Sequence, residues 1–282
     1  MEFFLGCAFG RPLGALFAPS GVLSTTGACR PFSQTADGFV PGEGAAVVAL
    51  KRLDKAVADG DRIYAVIKGS SIGNDGQTFG EMAPNPAGQL DVMRRALAEA
   101  DIDPATVALI ETHGTATPVG DVVELRALKE VYDASDAEPC GLSSVKSNVG
   151  HLLAGAGAAS LVKVCLAFAH KTLPPIAGFA GVGRRMPFDD TRLQPLATAK
   201  PWHVNANAPR RAAINSLGIG GTNCHVVLEE GPSVGSGAAV SRDAHLLALS
   251  THDAASMRRL ANVFQRELVM ARSIFFTYSP LS

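Results

Sequence analysis

The stretch from Ser143 to His170, SSVKSNVGHLLAGAGAASLVKVCLAFAH, constrains the fold more than any other part of the chain. Beyond His151 it has the composition of a helix whose only interior charge is Lys163; the rest, such as Gly157, Ala158, Leu161, Val162, Val164 and Leu166, is apolar or small. A helix that is apolar all round is buried on every side or lies in a membrane. Each glycine lowers helix propensity by up to about 1 kcal/mol, so close packing has to offset it. A charged residue within the stretch argues against a membrane span. The expectation is a buried helix sandwiched between two sheets, with Lys146 and His151 at its mouth.

The surroundings of that helix predict an α/β fold. Strands are expected at Ala45–Leu53, Ile63–Gly73, the segment VALIETHG ending at His113, and CGLSSVKSN. Between them, DKAVADG predicts a short helix. PNPAGQLDVMRRALAEA predicts a longer one, with Leu90, Met93, Leu97 and Ala100 on one face. PVGDVVELRALKEVY opens with Pro118, which suits the first turn of a helix. RAAINSLG and NCHVVLEE close the unit as two strands, with Gly218, Gly220 and Gly221 between them. From Val107 onward the order is β-α-β-α-β-β, and such alternation implies a sheet with helices over its faces. Residues 231–243 are a small-residue linker. HLLALS then predicts a strand and THDAASMRRLANVFQREL an amphipathic helix, the start of another unit.

Composition excludes several classes. Formal net charge is −1, with no basic stripe, so nucleic acid is not an expected partner. The five cysteines lie far apart without a C-x-x-C pair, which fits free thiols in a reducing cytoplasm rather than a disulfide framework. The apolar start has Glu2 where a signal peptide carries Lys or Arg, and Arg11 interrupts it, so neither a signal peptide nor a membrane segment is expected.

Three polar clusters fall at predicted strand ends, where α/β sites form. The first is ETHGTATPVGD, with His113, Thr115 and Thr117. The second is VKSNVGH, with Lys146, Asn148 and His151. The third is GIGGTNCH, with Thr222, Asn223 and His225. Two histidines at parallel topological positions can lie close in space, and neutral imidazole N–H groups donate well to a developing oxyanion. Together with a helix N-terminus they favour an enolate or thioester oxyanion. Lys146 can orient a histidine or pair with Glu124. Taken singly, each histidine is more simply a hydrogen-bonded turn residue; the combination with Lys146 carries the functional reading. His225, inside the last strand, is expected to be structural, and His170, His203, His245 and His252 to be surface or loop residues. Gly218–Gly221 lacks the following helix of a phosphate loop. His113 and His151 lack a third metal ligand, so no metal site is expected.

In order along the chain, CRPFSQTADGFVPGEGAAVVALKRL, GNDGQTFGEMAPNPAGQ, ETHGTATPVGDVVEL, SSVKSNVGHLLAGAGAASLVK, LPP and NSLGIGGTNCHVVLEE resemble the β-ketoacyl synthase domain of type I modular polyketide and fatty acid synthases, in the thiolase superfamily. The resemblance covers roughly Gly21 to Glu230. It implies a thiolase-like layered α-β-α-β-α sandwich, of which this chain supplies mostly the second half. It also implies a decarboxylative Claisen condensation, in which an acyl chain on a cysteine meets a malonyl-type unit carried on the phosphopantetheine arm of an acyl carrier protein. Carried over, His113 and His151 promote decarboxylation and hold the oxyanion, supported by Lys146 and Glu124. Thr115 and Thr117 hydrogen-bond the pantetheine arm, and the turn Gly218, Ile219, Gly220, Gly221, Thr222, Asn223 lines the acyl entrance. No cofactor is bound directly, and the family habit is a homodimer.

The resemblance also has departures. The family's nucleophilic cysteine lies in a TACSS-like motif, which this chain does not contain, and neither Cys7 nor Cys29 matches it. Ala116 replaces a glycine of HGTGT, Leu217 and Ile219 replace the phenylalanines of SFGFGGTN, and Val122 replaces the proline of GDPIE. The domain expectation is therefore a non-matching start over 1–20, the end of the first thiolase-like half over 21–75 and the C-terminal ketosynthase half over 76–230. After the linker, 244–282 begins the segment that leads such domains to an acyltransferase.

Overall fold

A computed structural model describes residues 2–8, 17, 20–76, 78, 84–134, 137–204, 208–232 and 253–269. Its centre is a six-stranded sheet in the order β3-β10-β9-β4-β5-β7. The strands are β3 (Ala65–Asn74), β4 (Leu109–Glu111), β5 (Cys140–Ser143), β7 (Leu193–Pro195), β9 (Arg211–Leu217) and β10 (Thr222–Glu230). β4 runs parallel to both β5 and β9, and β5 parallel to β7, whereas β10 is antiparallel to β9 and to β3. A separate ribbon pairs β1 (Glu2–Ala8) antiparallel to β2 (Gly44–Leu50), and β6 (Thr172–Leu173) pairs antiparallel to β8 (Lys200–Pro201). α1 (Leu53–Ala58) follows β2.

Alternation along the central strands divides the core between the two faces of the sheet. Ile110, Ala213 and Val227 join Met93, Leu97, Leu125 and Leu128 of helices α2 (Pro86–Ala100) and α3 (Gly120–Tyr132). Leu109, Ala212 and Ile214 face the other way, onto Val164, Ala167 and Phe168 of helix α5 (Ala156–His170). Strands covered on both faces carry no polar alternation, which is why β4 and β5 are buried throughout. α2 starts where the Asn85 side chain accepts the Ala87 N–H at 3.0 Å with Pro86 at the first position, and it ends at the left-handed Asp101.

Three local expectations are corrected. The strand expected to reach His113 stops at Glu111, because the His113 and Gly114 amides turn to the Glu124 carboxylate instead of a neighbouring strand. The strand expected through Asn148 stops at Ser143: the Val145 amide is drawn to Glu111, and Lys146–Val149 form a single helical turn, α4. The apolar helix does not begin at His151 but at Ala156, after a 3₁₀ turn over Leu153–Gly155. Nor is it buried all round. It lies between β9 of the sheet and the β1–β2 ribbon, burying Ala156, Ser160, Val164, Ala167 and Phe168, while Leu166 is 48% exposed. Among the described residues the outer layer has two strands, which leave part of the helix uncovered. Pro118 lies just ahead of α3, where the Asp121 N–H reaches the Thr117 carbonyl at 3.3 Å.

β3 pairs with β10, so Ala65–Asn74 is part of the same sheet as residues 109–230, although the sequence placed 21–75 with a preceding half. The chain divides into a unit over 1–234 and a second over 235–282. Within the second, helix α6 (Ala254–Val269) is capped by Asp253, whose carboxylate accepts the Ser256 N–H at 2.7 Å and its hydroxyl at 3.0 Å. The strand expected over HLLALS and the tail SIFFTYSPLS lie outside the described residues, as does most of 1–20.

Candidate active site

The loop between β4 and α3 presents four successive backbone amides to two carboxylates of the following helix. Asp121 and Glu124 stand three residues apart, so both project from one face of the first turn. Glu124 accepts the His113 N–H at 2.7 Å on one oxygen and the Gly114 N–H at 2.8 Å on the other. Asp121 accepts Thr115 N–H at 3.2 Å and Ala116 N–H at 3.0 Å on Oδ1, and Phe32 N–H at 2.7 Å on Oδ2. Hydrogen bonds to charged acceptors contribute about 1.5–3 kcal/mol each, so this loop is held tightly. Burial pushes the Asp121 carboxyl up to about 7, against the pull of those amides, and raises Glu124 as well. The loop pays for its shape at Ala116, an alanine held at φ +57° in the left-handed region.

The backbone of His151 is placed by main-chain hydrogen bonds. Its N–H donates to Val40 O at 2.7 Å and its carbonyl accepts the Gly42 N–H at 3.0 Å. The two segments approach so closely that a Cβ on Gly42 would sit 2.2 Å from the Val149 carbonyl oxygen. Phe39 packs edge-on against the His151 ring, centroids 4.9 Å apart.

The two imidazoles meet with ring centroids 5.4 Å apart and planes 77° apart. Each has its Nδ1 occupied as an acceptor. Leu217 N–H donates to His113 Nδ1 at 3.3 Å, and Leu153 N–H donates to His151 Nδ1 at 3.0 Å. A neutral ring whose Nδ1 accepts carries its proton on Nε2, so both rings present an Nε2–H donor. Burial, then the charge of nearby Lys146, then His151, holds His113 well below the ordinary histidine range. Burial and Lys146 bring His151 down to about 3. Both rings are therefore neutral at physiological pH.

Lys146, on the single turn α4, is buried with them. Burial lowers its pKa, opposed first by Glu124 and then by Glu111. Among the described residues Lys146 and Glu124 form no direct ion pair; Glu124 acts on Lys146 through space while its oxygens serve the His113 loop. Glu111, which sequence reasoning passed over, anchors the other side. Its carboxylate accepts the Ser143 hydroxyl and the Val145 N–H and pairs with Lys163 Nζ at 3.1 Å. The lone charge inside the apolar helix thus has a buried partner directly before Lys146.

The remaining candidate residues divide. Thr115 and Thr117 follow His113 in the same loop, with hydroxyl oxygens 3.0 Å apart. The turn from Gly218 to Asn223 follows Leu217 and leaves Ile219 54% exposed, with Gly220 and Gly221 at positive φ. The Asn223 side chain is buried and donates to Asp75 Oδ1 at 2.6 Å, so it is engaged away from the imidazoles. Cys29 is near the loop, its Sγ 3.9 Å from Gly114 O. Burial first, then Asp121, pushes its thiol up to about 12, and burial does the same for Cys140. Neither is a thiolate at neutral pH. The side chain of Cys7 lies outside what the structure describes. Among the described residues no cluster of three or more His, Cys, Asp or Glu side chains could hold a metal ion.

The chain is similar to known proteins along most of its length. The profile of the β-ketoacyl synthase C-terminal domain matches residues 64–180, that of the ketoacyl-synthetase C-terminal extension 184–276, and that of the β-ketoacyl synthase N-terminal domain 11–56. The chain is 47% identical over 220 residues to a phenolphthiocerol/phthiocerol polyketide synthase of Mycobacterium tuberculosis, covering 77% of this chain and 12% of that protein. It is 42% identical over 228 residues to a 6-methylsalicylic acid synthase of Arthrobotrys oligospora, covering 79% of this chain and 13% of that one. The solved ketosynthase from module 6 of the bacillaene synthase of Bacillus subtilis superposes with a TM-score of 0.85 at 36% identity, over 97% of this chain and 48% of that one. The chain thus spans about an eighth of those curated relatives and about half of that ketosynthase. The fold is of the thiolase-like α/β class. Within that class, the chain belongs to the β-ketoacyl synthase family.

Proposed function

We propose that this site carries out the decarboxylation and oxyanion chemistry of a β-ketoacyl synthase in polyketide assembly. The observation that carries the reading is the pair of neutral imidazoles, each with Nδ1 engaged by a backbone N–H and Nε2–H free to donate. A malonyl-type thioester loses carbon dioxide when the bond between its carboxylate carbon and Cα breaks. The electron pair moves into the thioester carbonyl, and the enolate oxygen is received by the Nε2–H groups of His113 and His151. Lys146 adds positive charge beside that oxygen and disfavours protonation of either ring, so both remain donors of the neutral form. Glu124 holds the His113 loop. In condensation, the enolate Cα attacks an acyl thioester and displaces its thiolate; in its absence, Cα takes a proton from water. Cys29 and Cys140 are buried and held as thiols, and partial burial raises the thiols of Cys165 and Cys224 as well, so in this reading an acyl-bearing nucleophile comes from outside them. Decarboxylation is the step these residues support by themselves.

In the same reading the substrate arrives on the phosphopantetheine arm of an acyl carrier protein. Thr115 and Thr117 bind the arm, and the Gly218–Thr222 turn, with Ile219 at its exposed tip, borders the acyl entrance. The protein is cytoplasmic and homodimeric, and residues 231–282 begin a linker toward a further domain, a reading supported by the match of the C-terminal extension profile. The test is carbon dioxide release from a malonyl-pantetheine thioester by the purified chain. Release that disappears in both His113→Ala and His151→Ala is the expected result. Release that is unchanged in both variants overturns the proposal.

A further inference from the structure

Behind the His113 loop runs a buried chain of side chains that the reaction as described does not use. Asn215 Nδ2 donates to Glu124 Oε1 at 2.8 Å, on the same oxygen that receives the His113 N–H. Asn215 Oδ1 lies 2.6 Å from His225 Nδ1, and His225 Nε2 lies 2.5 Å from the Tyr132 hydroxyl. All four residues are buried, His225 and Tyr132 completely. Asn215 and His225 are directly opposed across β9 and β10, and Tyr132 is the last residue of α3, the helix that carries Glu124 in its first turns.

The proton positions along this chain follow from donor and acceptor chemistry. Glu124 accepts two backbone amides, so the Asn215 group facing it has to be the donating NH2, which turns the amide oxygen toward His225. An amide oxygen facing a ring nitrogen at 2.6 Å requires a proton on that nitrogen, so His225 carries its hydrogen on Nδ1. A neutral ring then leaves Nε2 as an acceptor, and the Tyr132 hydroxyl donates to it. Turning the amide over, or moving the ring proton from Nδ1 to Nε2, places lone pair against lone pair. Burial holds His225 down to about 3, so the neutral ring is the form present.

We propose that His225 is a positioning residue: as a neutral Nδ1–H imidazole steadied by Tyr132, it locks the Asn215 amide so that Asn215 and Glu124 together hold the His113 loop in register for oxyanion donation. β9 then acts on His113 twice, through the Asn215 side chain on Glu124 and through the Leu217 N–H on His113 Nδ1. The three histidines consequently divide into two tautomers, with His225 opposite to His113 and His151. This rests on the proposed function for its catalytic consequence, but the tautomer assignment stands apart from it.

The experiment has two arms on the full chain. Nitrogen-15 NMR of the histidine-labelled protein reads the tautomers directly. The expected result is Nδ1–H for His225 and Nε2–H for His113; an Nε2–H signature on His225 overturns the relay whatever the activity. In the second arm, decarboxylation of a malonyl-pantetheine thioester is measured for His225→Leu and His225→Asn, the latter keeping a donor near the Nδ1 position. His225→Leu is expected to lower kcat about 10- to 100-fold with KM within about twofold, the size of effect that a small misplacement of a catalytic group produces. His225→Asn is expected to restore most of it. A folded His225→Leu chain with wild-type kcat, or equal losses in both variants, overturns the positioning role. A wild-type chain that releases no carbon dioxide while His225 shows Nδ1–H overturns the proposed function and leaves the relay standing.

Discussion

The His113 loop and the His151 segment deliver the same chemical group by different means. His113 is held by side chains: the carboxylates of Asp121 and Glu124, with Asn215 behind them, all from elements of the six-stranded sheet and its helix α3. His151 is held by main chain, in a two-bond clasp with Val40 and Gly42, more than a hundred residues earlier in the chain. Both histidines are followed by a non-glycine residue in the left-handed region, Ala116 at φ +57° and Leu153 at φ +49°. Such strain persists only where the surroundings over-determine it. The difference teaches that one imidazole is held chiefly through side chains of the sheet and α3, with Phe32 and Gly38 bracing its loop, whereas the other depends directly on the docking of the Phe39–Gly42 segment.

That comparison can be broken at either arm. The largest effect is expected from Glu124→Ala, which strands the His113 and Gly114 amides and the Asn215 NH2 in a buried place. A loss of about 3–9 kcal/mol in chemical denaturation is expected, at about 1–3 kcal/mol for each of the three unsatisfied groups, together with loss of carbon dioxide release. A loss below about 1 kcal/mol would mean that water reaches those donors and that the loop is not held as described. Gly42→Ala strikes the other arm. The added methyl has no space against the Val149 carbonyl, so the clasp has to open, at about 1–3 kcal/mol for overpacking. NMR should then show the His151 ring displaced while the His113 signals keep their wild-type positions. Equal disturbance of both rings would refute the independence of the two arms. The smallest effect sharpens the picture: Ala116→Gly relieves the left-handed alanine, worth about 1–2 kcal/mol, against the added entropy of an unfolded glycine, about 0.4–1 kcal/mol. The net expectation is a gain of up to about 1.6 kcal/mol by thermal denaturation, and a loss of stability would contradict the strain.

How much of this was legible beforehand follows from what each residue depends on. His113, His151, Lys146 and Glu124 stand at strand-to-helix junctions, and junction chemistry is local, so sequence motifs bring them forward as candidates; the structure brings the two imidazoles together. Glu111 was hidden because it looks like one more strand residue; its role comes from Val145 and Lys163, which only the packing of α5 brings to it. Asn215 and His225 stand within strands, and a histidine inside a strand reads as structural from sequence alone. Their partnership depends on the register of β9 against β10, which no single strand encodes. Asp121 and Asn223 show the same limit in opposite directions. Asp121 proved to hold three amides, while Asn223 turned toward Asp75. The helix boundary at Ala156 was misplaced because the 3₁₀ turn before it has the same apolar composition as the helix.

The most direct test of the central claim is a proton NMR titration of the ring Cε1–H signals of His113 and His151 between about pH 5 and 8. Burial and the Lys146 charge depress both groups, so each should stay neutral across this range and its signal should not move. A midpoint near the ordinary histidine value of about 6.5 for either ring would mean that it is solvated and cationic in the lower part of the range, and the paired neutral donors would not exist as described.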